Sequence, residues 1–246
     1  MNYSSISLLE YQVFIDMITK IDYKQQQLIT TINQYSYCIA ESDYKFKKAL
    51  QDSDILLPDG VGIVIAAKLL KKKRIQKIAG ADIHQYLLEK LQAAAGSCMY
   101  LGASEHTLTK IKNRVGVEYP KIRVFTYSPP FKPEFSKQDI DGMIAAVNEV
   151  QPDVLFVGMT APKQEKWAAK NKEFLNTKTI CAIGAVFDFY AGTVERPSQF
   201  WIDLHLEWFI RLVKEPKRMW RRYLYYGPFF IYLLLKVFFK KDTSSS

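Results

Sequence analysis

A chain of 246 residues can bury one sizeable core and still carry an appendage, and 48% apolar residues with only 10 Pro and 11 Gly exclude a disordered or fibrous polymer. The net charge of +9 is unevenly placed: residues 206–246 hold nine Lys/Arg against three acids, which is +6 of the total. A nearly neutral body with a basic end argues against a broad nucleic-acid face and for one anionic partner surface.

The first stretch, MNYSSISLLEYQVF, has neither a basic region nor a long apolar run, so no signal peptide is expected. Short apolar runs bounded like buried strands follow at 28–32, 55–57, 98–101, 122–126, 154–157 and 179–183. Helical patterns lie between them at 35–50, 61–70, 82–95, 105–117, 137–150 and 164–174. This alternation predicts an α/β fold, a Rossmann-like and mainly parallel sheet with helices on both faces. In such a sheet the ligand crevice lies outside the carboxyl ends of the strands. Thr31, Asp59, Gly102, Gly158 and Gly184 are therefore expected on one rim. Cys38, Cys98 and Cys181 are far apart and lack metal or redox spacing, so they read as buried, reduced thiols of a cytoplasmic protein.

From Trp201 the rhythm breaks. On a helical wheel Arg211, Lys214, Arg218, Arg221 and Arg222 share one face, and Phe209, Leu212, Val213, Met219, Trp220, Tyr223 and Leu224 the other. Pro216 predicts a kink or two short helices, and Gly227-Pro228 a chain break. The run FFIYLLLKVFFKK is too short to span a bilayer and is interrupted by Lys236, so it reads as a segment on a membrane surface, the alternative being a helix docked on the body. The expected arrangement has the first helix docked and the last at the lipid. The chain thus divides into an α/β core over 1–198 and a basic, aromatic appendage over 199–246.

Four places carry polar groups suited to chemistry. Asp59 lies in DSDILLPDGVGIV, wedged between two apolar runs, and is either a turn residue of Pro58-Asp59-Gly60 or a working carboxylate. Gly60-Val61-Gly62 offers a phosphate-compatible entry to a helix. Thr31 and Asn33 could bind a sugar or cap the helix that starts near Gln34. In GMTAPKQEKWA, Gly158 ends a strand, and Lys163, Gln164 and Glu165 occupy the first turn of a helix opened by Pro162. That turn suits a diphosphate or sugar hydroxyls, or is a plain helix start. In GAVFDFYAGTVERP, Asp188 sits among aromatic residues before an Arg196-Pro197 turn, and a carboxylate in such company needs a partner or a task. Asp52-x-Asp54 and Asp139-x-Asp141 match a metal-binding spacing but lie on charged helical stretches, and read as solvated faces. His84, His106 and His205 lack ligand spacing. No metal site and no cofactor are expected.

Taken in order, Asp59-Gly60-Val61-Gly62, KIAGADI at 77–83, YLGA at 100–103, GMTAPKQEKW, GAVFDFYAGTVERP and EWFIRLVKEPKRMWRRYL resemble the WecG/TagA/CpsF family of bacterial glycosyltransferases, over roughly residues 30–224. The resemblance implies inverting transfer of a sugar from a UDP-sugar to a polyprenyl-diphosphate-linked saccharide, in cell-envelope polysaccharide synthesis at the inner face of the cytoplasmic membrane. It implies Asp59 as catalytic base, with Thr31 and Gln164 beside it. Substrate binding falls to Asn33, Gly60, Lys77, Gly102, Gly158, Lys163, Asp188, Arg196, Arg211, Arg218 and Arg221. Lys77 stands where the family usually has arginine; it keeps the charge and loses the bidentate fork. Diphosphate charge is then balanced by Lys77 and the appendage arginines rather than by a metal.

An N-acetylmannosamine-type donor is expected, with glucose or N-acetylmannosaminuronate as alternatives. The rival of a different class is a non-catalytic nucleotide-binding protein on membranes, for which Asp59 would be a turn residue only. The expected partners are the UDP-sugar, the lipid-linked acceptor and the membrane surface, with no nucleic acid and a homo-oligomer left open.

Overall fold

The computed structural model describes residues 3–194, 201 and 207–243. Among them the strands form one eight-stranded sheet: β1 (Ser5–Leu8), β2 (Tyr11–Phe14), β3 (Gln27–Ile32), β4 (Ile55–Pro58), β5 (Ser97–Gly102), β6 (Arg123–Tyr127), β7 (Val154–Gly158) and β8 (Thr179–Ala182). Their spatial order is β1-β2-β4-β3-β8-β7-β5-β6, and every pairing is parallel except β1 with β2. The expected α/β architecture is present.

Alternating side chains fill both faces of this sheet. Cys98 and Tyr100 join Ile29, Leu57, Phe156 and Phe187 on one face, packed under helices α4 (Gly80–Ala94), α5 (Glu105–Glu118) and α8 (Ala185–Tyr190). Met99 and Leu101 point the other way, with Leu28, Leu155 and Val157, under α6 (Lys137–Val150) and α7 (Lys163–Asn171). Farther along that second face, Ile32 and Leu56 meet α1 (Gln34–Ala40), α2 (Tyr44–Gln51) and α3 (Val61–Lys71).

Three features depart from the expectations. The hairpin β1–β2 lies where no strand was predicted; its two turn residues, Leu9 and Glu10, take φ of 52° and 70°. The single helix expected over 35–50 is two, because Asp43 caps a new start: its Oδ1 accepts the Phe46 N–H at 3.0 Å. A salt bridge from Lys166 of α7 holds the same carboxylate.

The appendage holds the third departure. Helices α9 (Glu207–Lys214) and α10 (Pro216–Trp220) are separated before Pro216, as expected. Gly227-Pro228 breaks nothing: a π-helical turn, Arg221–Tyr225, leads straight into α11 (Tyr226–Thr243). The last helix, expected at the lipid, docks along one side as well. Phe230 and Leu234 are buried with Tyr37, Ile63 and Ala66, and a Cβ on Gly62 would meet the Phe230 ring at 3.2 Å. Removing residues 199–246 would therefore strip part of the core's own cover. The three cysteines are free and buried.

Candidate active site

Because β4, β3, β8, β7 and β5 are parallel neighbours, their carboxyl ends share one edge. Thr31 stands opposite Leu57, and Gly102 opposite Gly158, so the residues that end these strands are brought together on the expected rim. The Asp59 N–H donates to the Ile32 carbonyl at 2.8 Å, tying the residue after β4 to the end of β3. The Ile78 N–H donates to the Pro58 carbonyl at 3.0 Å, which carries half-buried Lys77 past the same strand end.

Local geometry explains the residue types here. Gly60 has φ of +117°, and a Cβ there would lie 2.9 Å from Gln34 Oε1, so this turn requires glycine. Asn33 Oδ1 accepts the Ser36 N–H at 3.0 Å while Ser36 Oγ accepts the Asn33 N–H at 2.8 Å, a reciprocal cap on α1. The carboxamide oxygen of Asn33 is committed to that cap, so only its NH2 group is left over from it. Gly102 and Gly158 bring backbone against backbone: a Cβ on Gly102 would lie 2.3 Å from the Gly158 carbonyl oxygen.

Gln164 is buried at the same edge. Its Oε1 accepts the Met159 N–H at 3.1 Å and its Nε2 donates to Glu165 Oε1 at 2.8 Å, so it braces the turn after β7. Glu165 is fully buried, and that burial pushes its carboxyl up to about 7. Lys163 turns instead to the loop after β6: its Nζ donates to the Lys132 carbonyl at 2.5 Å and lies 3.7 Å from the Phe135 ring centroid. Burial lowers its pKa.

Two arginines of the appendage arrive from the other side. The Arg211 guanidinium lies 5.1 Å from the ring centroid of Phe189, the residue that follows half-buried Asp188 on α8. Its Nε is buried with no hydrogen-bond partner among the described residues. The Arg222 guanidinium lies 4.7 Å from the Tyr35 ring at the start of α1. Burial is the main cause lowering the Arg222 pKa; Tyr223 opposes it, Arg211 adds to it, and Asp59 opposes it. Two half-buried cations and half-buried Asp59 are thus near enough to feel one another's charge beyond the ends of β3 and β4. Partly desolvated cations so close together favour an anion between them, and a diphosphate has the charge and the acceptor oxygens.

Arg222 was not among the candidates read from the sequence; its neighbour Arg221 was, and Arg221 is exposed. The wheel did place Arg222 on the basic face, but an α-helical wheel does not foresee the π-turn that decides between neighbours. Arg196 lies outside the described residues, as does the side chain of Arg218.

The acidic pairs have structural work elsewhere. Asp52 pairs with Lys48 at 2.6 Å, and Asp54 accepts the Leu28 N–H at 2.7 Å at the opposite, amino end of the strands. Asp139 caps α6 and pairs with Lys132 at 2.5 Å. Among the described residues, no three His, Cys, Asp or Glu side chains are grouped to hold a metal ion.

His84 lies beneath the rim. Its Nε2 is 2.7 Å from Tyr100 Oη, and rings of Phe156 and Tyr190 close around it at 4.9 and 4.8 Å. Burial, with a smaller push from Arg114, takes its imidazole down to about 3. An unfolded histidine titrates near 6.5, so below that pH the unfolded chain takes up a proton that the folded chain refuses until about pH 3. Stability therefore falls with falling pH across this window, at a slope on the order of 1 kcal/mol per unit. His84→Gln keeps a partner for Tyr100 and should flatten that acid limb in urea unfolding between pH 7 and 4; an unchanged slope would refute the assignment.

A family model described as the glycosyl transferase WecG/TagA/CpsF family matches residues 2–244. A protein of Bacillus spizizenii strain W23, named N-acetylglucosaminyldiphosphoundecaprenol N-acetyl-beta-D-mannosaminyltransferase, is 31% identical over 206 residues, covering 84% of this chain and 78% of the relative. The protein of the same name from Bacillus subtilis strain 168 is 30% identical over 213 residues, covering 86% and 81%. One from Staphylococcus aureus strain MW2, with that name too, is 23% identical over 208 residues, covering 85% and 79%.

Proposed function

Since the chain belongs to the WecG/TagA/CpsF family of glycosyl transferases, we propose that it moves an N-acetylmannosamine-type sugar from a UDP-sugar to a polyprenyl-diphosphate-linked N-acetylglucosamine. The relatives' names support this acceptor. The observation that carries the reading is Asp59 at the carboxyl end of β4, in the electrostatic field of half-buried Arg222.

The chemistry is a single displacement. An acceptor hydroxyl oxygen attacks the anomeric carbon and its proton passes to the Asp59 carboxylate. The bond from the anomeric carbon to the diphosphate oxygen breaks, and UDP leaves with the electron pair. Inversion follows from attack on the face opposite the leaving group. Arg211, Arg222 and Lys77 balance the diphosphate charge, so the reaction needs no metal. Thr31 and the NH2 end of Asn33 meet sugar or acceptor hydroxyls, and Gln164 keeps the turn after β7 in shape. The appendage over 199–246 holds the enzyme peripherally on the inner face of the cytoplasmic membrane; no described helix is long and apolar enough to cross one.

The test is UDP release from a panel of UDP-sugars, with a short-chain polyprenyl-diphosphate-linked N-acetylglucosamine and a chelator present. Acceptor-dependent release from UDP-N-acetylmannosamine, unchanged by the chelator, is the expected result. Release that needs no acceptor, or none from any donor, sinks the proposal.

Arg222→Met separates function from folding. It removes a half-buried charge and keeps an apolar stem of similar length, so stability should change by less than about 2 kcal/mol. The kcat/KM for transfer should fall about 10²- to 10³-fold. Melting curves and steady-state rates on one preparation check both halves.

A further inference from the structure

Helix α3 buries one side and leaves another bare. Ile63, Ala66, Ala67 and Leu70 face the core. Val61, Ile65 and Leu69, each four residues from the last, form an apolar stripe that is 37%, 46% and 48% exposed. From Val61 to Lys77 the sequence holds six basic residues, Lys68, Lys71, Lys72, Lys73, Arg74 and Lys77, and no acid. Lys68 and residues 71–74 are exposed around the carboxyl end of the stripe. Helix α11 packs beside α3, with Phe230 against Gly62. It carries its own exposed apolar residues, Ile231, Leu235, Phe238 and Phe239.

We infer that α3 is the second half of a lipid-docking face, and that its apolar stripe enters the headgroup boundary of an anionic bilayer beside α11. This rests on, and deepens, the peripheral membrane reading above, which needed the appendage alone. Charge selects the occupant. An apolar stripe bordered by cations complements an anionic membrane surface. A second copy docked face to face would bring these clusters of like charge together without an acid to meet them. The stripe also begins at Val61, two residues from Asp59. A bilayer on this face would hold the proposed base at headgroup depth, where a lipid-linked diphosphate presents its sugar.

The experiment is flotation of the full chain with vesicles of phosphatidylcholine, alone or mixed with phosphatidylglycerol. Ile65→Ser with Leu69→Ser is one variant; Lys71→Gln, Lys72→Gln and Lys73→Gln together are another. Phe238→Ser with Phe239→Ser tests the appendage, and Val117→Ser, an exposed apolar residue on α5, is the control. All substituted side chains on α3 and after it are exposed, and circular dichroism with melting curves checks that each variant folds.

The inference expects tight binding to the mixed vesicles only, weakened about tenfold or more by the serine pair and about a hundredfold by the lysine triple, with Val117→Ser unchanged. Variants of α3 that float like the wild type, while the α11 pair is released, overturn the inference and leave the membrane reading standing. A wild type that binds neither vesicle overturns both. A wild type that sediments as a dimer and becomes a monomer with the α3 serine pair, vesicle binding unaltered, assigns the face to a second copy and overturns it too.

Discussion

Asp59→Asn is expected to slow sugar transfer by about 10²- to 10⁴-fold while UDP binding and the melting temperature hold. The size follows from what a positioned base contributes to proton transfer. The substitution is nearly isosteric, so the tie of its N–H to Ile32 and the turn through Gly60 survive. What is lost is the acceptor for the attacking hydroxyl's proton. Single-turnover rates with saturating donor isolate that step from binding and release. An Asp59→Asn enzyme within threefold of the wild type would return the residue to the role of a turn former, and the rival reading of a non-catalytic nucleotide binder would gain ground.

Gly102→Ala is expected to carry the largest cost in stability, about 3–5 kcal/mol. Two separate terms add. The residue has φ of +120°, where a side chain costs about 1–3 kcal/mol in backbone strain. Its Cβ would lie 2.3 and 2.6 Å from the carbonyl oxygen and carbon of Gly158, which are backbone atoms of the paired strand β7 and have little room to retreat. Behind Gly158 stands the Phe187 ring, 2.4 Å from where that residue's own Cβ would be, so the strand is held from the far side as well. For a chain of this size the melting temperature should fall by roughly 10 °C. Gly116→Ala provides the opposite sign. That glycine lies in the exposed face of α5 with nothing within 4 Å of its absent Cβ, and alanine there should stabilise by roughly 0.5–1 kcal/mol. Scanning calorimetry of the two variants tests the contrast directly.

The sheet was legible because strands buried on both faces leave unbroken apolar runs, and because helices with caps lie between them. The rim followed, since parallel strands place their ends together whatever their order. The hairpin β1–β2 was not legible. Its turn is Leu9-Glu10, both at positive φ, where the usual signal is Asn or Gly. Nor was the interruption at Asp43, since the apolar period runs on through it and only the cap and Lys166 stop the helix.

At the candidate site, Asp59, Asn33 and Gly60 lie where turn and capping chemistry put them. Local pattern says nothing about how far a side chain is turned from its neighbours, so Lys163 could not be seen to reach Lys132. The burial of Phe230 on α11 was hidden for a related reason: a helix apolar on nearly all sides does not announce which side meets protein. The choice of Arg222 over Arg221 depended on a break in the helical period itself.

That π-turn has a mechanical consequence. A ring closed from i to i+5 holds one more residue than the ring it replaces, so everything downstream lags by roughly one position, about 100° of rotation. Arg221–Tyr225 therefore works as a phase shifter between two cams on one shaft. Upstream, on α10, the azimuth of buried Met219 is set; downstream, that of Phe230 and Leu234 is set against the core. With the extra residue between them, neither setting constrains the other. Deleting one residue from the turn would restore uniform pitch and leave only one of the two faces in register.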